Sequence, residues 1–319
     1  MMRLLVAVSR FFFAPADATE LGLCRLLFFA GLLASRLPAR AQDWGRVPER
    51  FYRPVGLFDW LNLPVLRADA LRAMEVAWWF ALLFAAAGFF TRASTVAALL
   101  LGAYLLGLPN NFGKVGHGDQ LTVLIMLILA LSRCGDAVSI DALLARRSTP
   151  ASPAPPARSP ARSGEYRWPV RTVWVLMAAI FCSAGTTKLL RVGPAWVTSD
   201  SFAITLQQAH YGLNRPPTNF GLRVAQVPWL CHVIAGGSLL LELAFPLALL
   251  GRRPRAIIVP AALAMQLGIG LMMGIWFTPF LFGHLFFVPW KHIGSAAGPR
   301  CLGPGRRFSV LRQAHAGSH

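Results

Sequence analysis

The chain has 319 residues, 55% of them hydrophobic and 14% charged, with a formal net charge of +18. That balance excludes an ordinary soluble domain, in which about a quarter of the residues are charged. Its arginines sit between apolar runs and form no stripe interleaved with aromatics, so a nucleic-acid partner is not expected and the lipid bilayer is.

A helix needs about 20 apolar residues to cross a bilayer, and in lipid the backbone must satisfy its own hydrogen bonds. Apolar runs meeting that pattern fall at 21–37, 71–90, 94–108, 121–131, 168–189, 229–250, 256–274 and 277–290. They predict an all-α polytopic membrane helix bundle of about eight spans. The first, third, fourth and eighth runs are short, which suits tilted or interfacial helices. The start, "MMRLLVAVSRFFFAPADA", reads as mature sequence, because Arg10 interrupts an apolar stretch already too short for a secretory signal.

Between the fourth and fifth runs lies "RRSTPASPAPPARSPARSGE", rich in Pro, Ala, Ser and Arg and without apolar anchors. The expected organisation is a first membrane half at 1–145, a cytoplasmic linker at 146–167, a second half at 168–290 and a basic tail at 291–319. If the spans alternate, 18 Lys and Arg fall on the side of the amino terminus and 12 on the other. The smaller group is concentrated in long loops, which weigh least in the positive-inside rule. The expected setting is a bacterial-type inner (plasma) membrane with both termini cytoplasmic.

Ionisable groups inside apolar runs are costly, and so draw attention. Arg25, one turn into the first run, is expected to snorkel to the headgroups. Glu242, in "GGSLLLELAFPLALL", is too deep for that; its simplest reading is an interhelical hydrogen-bond partner, with Gly236 and Gly237 allowing close packing. Lys188, in "FCSAGTTKLL", is either a snorkelling anchor or a working amine. The third-to-fourth connection, "LPNNFGKVGHGDQL", gathers Asn110, Asn111, His117 and Asp119; a turn favours Asn, Gly and Asp for its own sake, but has no need of imidazole. Alternation delivers His117 and Lys188 to one membrane face, with Trp196 of "RVGPAW" beside the lysine. Five scattered cysteines and seven histidines show no metal-ligand spacing, so no metal is predicted.

These stretches resemble the HTTM domain, the membrane domain of vitamin K-dependent γ-carboxylase and its bacterial relatives. "SAGTTKLLRVGPAW" is similar to the helix end that carries that family's catalytic-base lysine, at Lys188. "HGDQLTVLIMLILALSRCGDAVSIDALL" resembles the segment opening on its active-site histidine, at His117, and closing on a Ser-x-Asp, at Ser139 and Asp141. Glu242 takes the family's acidic position, and "FFFAPADATELGLCRLLFFAGLL" resembles its first helix, Arg25 included. Two departures stand out: where the family has a later functional histidine this chain offers Gln266, and the carboxylase's large lumenal domain is expected to be missing.

The resemblance implies catalytic Lys188 and His117; with the polar loop and the lysine on one face, the expected ligand pocket is Asn110, Asn111, Asp119, Trp196 and Gln266. Glu242 would be the buried acid, and the ligand a quinol of the vitamin K hydroquinone type. It also implies a secreted peptide or protein substrate if the carboxylation carries over. Two alternatives stay open: a non-catalytic membrane partner in maturation, export or immunity of a secreted peptide, and a DoxX-like quinone-linked redox subunit.

Overall fold

A computed structural model describes residues 2–36, 40–113, 117–148, 162–212 and 216–290. Every element below belongs to one compact unit, Met1–Val288. The described residues hold helices and no β-strand, apart from a single bridge between Ala16 and Ser163.

All eight apolar runs lie on helices. An amphipathic helix α1 (Met2–Phe13) precedes α2 (Ala18–Ser35), α3 (Ala68–Ala87), α4 (Thr91–Gly107), α5 (His117–Leu131) and the short α6 (Ile140–Ser148). Then follow α7 (Trp168–Arg191), α8 (Ser201–Tyr211), α9 (Phe220–Ala225), α10 (Pro228–Ala244), α11 (Arg252–Met273) and α12 (Thr278–His284). Six of these segments are long and apolar enough to cross a membrane, while Gly118–Leu131 and Thr278–Phe287 are shorter apolar helices. Large apolar side chains such as Leu100, Leu131, Val233, Leu240 and Ile257 point outward, as lipid contact requires. The protein is a multi-pass helical membrane protein.

Helices α2 to α5 pack in sequence order, α7 packs on α10, and α10 on α11. α12 touches α2, α5, α7 and α11, and so ties the two groups together. The linker is ordered at both ends: α6 runs into its start, and Arg162 pairs with Asp17 while Ser163 bonds Ala16. Residues 149–161 of the linker lie outside the described residues.

The largest departure from expectation is Arg25. It does not snorkel; it is fully buried, and donates to the carbonyls of Val138 (2.5 Å), Cys134 (3.3 Å) and Ala86 (3.4 Å). The short runs that join α3 to α4 and α5 to α6 end in carbonyls with no helical partner, and one guanidinium collects three of them. The chain bends sharply to allow this. Gly88 has φ +69°, and a side chain there would land on Arg25 Nη1 and Ser139 Cβ. Val138 takes φ +53°, unusual for a β-branched residue, while presenting its carbonyl to Arg25.

Asp141 completes this node, accepting from the Phe90 N–H (2.9 Å), the Thr91 N–H (2.7 Å) and the Thr91 hydroxyl (2.7 Å) at the start of α4. Burial works against its carboxylate, but those three donors and the field of Arg25 outweigh it and hold the group below the usual carboxylate range. A depressed folded value contributes stability that is complete above the ordinary aspartate value, near 4, and is lost as pH falls through the lower folded one. Asp141→Asn is expected to destabilise by about 1 kcal/mol, the usual worth of a lost helix-start acceptor. It should also flatten the acid limb of a thermal-stability profile between about pH 4 and 2; an unchanged acid limb would refute this role.

Candidate functional site

Helix α7 ends where the sequence changes from Val, Met and Phe to "SAGTTK". Gly185 is the close-approach point with α10: a methyl there would meet Glu242 Cβ at 3.0 Å and Leu243 Cδ2 at 3.1 Å. With no side chain at 185, the next turn of α7 sets Lys188 directly against Glu242. The Nζ lies 2.6 and 2.7 Å from the two carboxylate oxygens, a bidentate ion pair joining residues 54 apart in sequence. The carboxylate side chain is 9% exposed and the lysine 26%.

The chain then closes over the pair. Gly193, at φ +65°, and Pro194 turn it back, so that Trp196 presents its ring 4.9 Å from the Lys188 Nζ. A cation over an indole face gains about 0.5–2 kcal/mol, more as water is excluded. The turn is seated by Val197, whose methyl lies where a side chain on Gly236 would sit. Gly237, expected to share that packing duty, has open space beside it. The indole Nε1 of Trp196 is buried without a hydrogen-bond partner among the described residues.

Two turns back along α7 from Lys188, where the chain leaves α10, is an aromatic layer. Phe181 stacks on Phe245 with ring centres 4.3 Å apart, and His284 of α12 stands edge-on to both at 6.3 and 6.4 Å. His284 Nδ1 lies 2.7 Å from the Phe280 carbonyl, so Nδ1 is the donor; Nε2 is buried without a partner among the described residues. Sequence reasoning missed this residue. Its signal is present, a lone imidazole in the apolar run "FLFGHLFF", but apart from His117 the histidines are read above only as metal ligands.

Of the residues singled out from sequence, the structure brings together Lys188, Glu242 and Trp196. Asn111 is fully buried as a loop organiser: its amide donates to the Gly107 and Leu108 carbonyls, and its oxygens accept from the N–H groups of Val55 and Arg53. Neighbouring Asn110 is half-buried in the same short turn. Asp119, at the start of α5, pairs with Arg36 at the end of α2. Gln266 is buried on α11, with its Oε1 unpartnered. The backbone of His117 opens α5, where a side chain on the adjacent Gly118 would lie 3.4 Å from Pro279 of α12; the His117 side chain lies outside what is described. Ser139 and Asp141 belong to the Arg25 node on the α3–α4 turn.

Chemically, the paired lysine and carboxylate are one amine and one acid that can share a proton, walled by apolar helices. Unsatisfied buried polar atoms at Trp196 and His284 flank the seam, and such atoms are rare enough to need a partner. The indole N–H can only donate, and the imidazole Nε2, with Nδ1 donating, can accept. No family model, curated protein or solved structure matches the chain.

Proposed function

We propose that the Lys188–Glu242 pair is an intramembrane acid–base site acting on a small, largely apolar molecule with an ionisable hydroxyl, of the quinol type. The observation carrying this reading is the bidentate pair itself, covered by Trp196 with its N–H unused. A proton taken from a bound hydroxyl needs an acceptor. Once the proton shared within the pair sits on Glu242, the Lys188 amine is that acceptor, and the transfer leaves its ammonium against the ligand's oxyanion with the Glu242 carboxyl still protonated. Trp196 and His284 orient the ligand's oxygens, and the apolar walls exclude water that would compete for the proton. The resemblance to the HTTM membrane domain supports the same assignment for Lys188, and a γ-carboxylase-like use of the quinol is its furthest extension.

The experiment is binding of a short-chain naphthohydroquinone to purified protein in detergent. Saturable binding is expected, weakened on the order of tenfold by Trp196→Leu through loss of one donor and its aromatic face. Equal affinity in the variant would remove Trp196 from the site, and no saturable binding would remove the quinol.

A second reading is favoured by the completeness of the same ion pair: a lysine bonded to both carboxylate oxygens can be an interhelical clamp in a non-catalytic partner of a secreted peptide. It predicts that apolar replacement of both residues preserves function.

For orientation we propose eight crossings with both termini cytoplasmic, on the excess of loop arginines. Cysteines placed at 40–60 in a background without native cysteines should react with impermeant maleimide in intact cells, while ones at 146–148 should not. The opposite labelling would reverse the topology.

A further inference from the structure

We propose that the first turns of α7 and α11 bind the phosphate of an anionic phospholipid. This inference is independent of the Lys188 site. Two guanidiniums converge on one indole: Arg171 lies 3.7 Å and Arg255 3.9 Å from the Trp174 ring centre, and Arg171 also lies 4.9 Å from the ring of Phe11. The indole is fixed in place, since its N–H donates to the Phe286 carbonyl at 2.7 Å and its ring stacks on Phe287. A third arginine, Arg167, donates to the Phe11 carbonyl at 3.2 Å, and Arg252 and Arg253, exposed, precede Arg255 at the start of α11.

Like charges crowded in this way repel one another unless a counter-charge sits among them. Among the described residues no ion pair joins any of these five arginines to a carboxylate, although the field of Glu20 reaches Arg171. A guanidinium stacked on a ring keeps its N–H groups at the edge of its plane, where they match phosphate oxygens two at a time. Arg171 makes no hydrogen bond among the described residues, and Arg255 commits only its Nε, to the Ala248 carbonyl at 3.1 Å.

The location selects a lipid over a soluble anion. Both first turns begin apolar segments long enough to cross a membrane, which places the cluster at headgroup depth. Immediately beside it Leu250 and Ile257 are exposed over 79% and 72% of their surface, a path for acyl chains and not for water. Arginine over an aromatic, next to exposed aliphatic surface, fits a phosphodiester carrying two hydrocarbon tails.

The test compares thermal stabilisation of detergent-purified protein by dioleoyl phosphatidylglycerol, dioleoyl phosphatidylcholine and inorganic phosphate. Phosphatidylglycerol alone is expected to raise Tm, and Arg171→Gln/Arg255→Gln should weaken its binding on the order of tenfold or more. Equal stabilisation by phosphatidylcholine, a full shift from phosphate alone, or an unchanged response in the double variant would each overturn the proposal. Should that variant fail to fold, wild-type protein is photo-crosslinked with a phosphatidylglycerol carrying a diazirine near its headgroup. Labelling at 167–174 or 252–257 supports the site, and labelling confined to other segments overturns it.

Discussion

Gly88→Ala is expected to remove most of the folded protein. The residue holds φ +69°, which costs an L-residue about 1–2 kcal/mol. The larger effect is steric: the new methyl falls on Arg25 Nη1 and Ser139 Cβ, neither of which can withdraw. Arg25 is fully buried and bonded to three carbonyls, and displacing it strands acceptors worth about 1–3 kcal/mol each. Stranding even one or two of these acceptors on top of the backbone cost gives a loss on the order of 3–5 kcal/mol, close to the lower end of the stability of a typical protein. Membrane insertion should persist while monodisperse protein recovered from detergent collapses, and Arg25→Leu should behave alike. Recovery of Gly88→Ala at wild-type yield, with Tm within a few degrees, would show that the node is not structural.

The second large effect concerns the ion pair. Removing one member leaves the other charged group in an apolar seam. Fully buried pairs lose about 3–5 kcal/mol on such a cut and exposed ones under about 1 kcal/mol. With the carboxylate 9% exposed and the lysine 26%, Lys188→Met and Glu242→Leu should each cost about 2–4 kcal/mol. The double variant should regain most of that loss, because apolar side chains of similar volume often replace a buried pair at no cost. Stability and function should then part company. A working acid–base site predicts a stable double variant that no longer supports quinol-dependent activity or complements a deletion. A clamp predicts a stable double variant that still complements the deletion.

The helices were legible in the sequence because a membrane helix is written as composition: all eight apolar runs lie on helices. What composition does not carry is azimuth. Arg25 stands two turns into its helix, where snorkelling and burial predict the same hydropathy, and only the facing Gly88 and the turn carbonyls decide between them. Lys188 and Glu242 each stood out as costly groups, yet 54 residues separate them and nothing local announces the pairing. The glycine that permits it, Gly185, was visible within "SAGTT" only as a small residue. Asn111 and Asp119 were legible as polar loop residues, but their partners, Val55 and Arg36, sit on segments no periodicity links to them. His284 hid in an aromatic run, because an imidazole that bonds its own helix one turn back has no signature in spacing.

The claim that matters most is that the proton between Lys188 and Glu242 moves when ligand binds. Infrared difference spectroscopy of the purified protein, recorded on adding a short-chain naphthohydroquinone, reads this directly. The account predicts the carbonyl-stretch band of a newly protonated carboxylic acid, absent from Glu242→Gln and from Lys188→Met. Saturating quinol binding with no change in any carboxyl band would contradict it, and would leave the pair as a clamp between two helices.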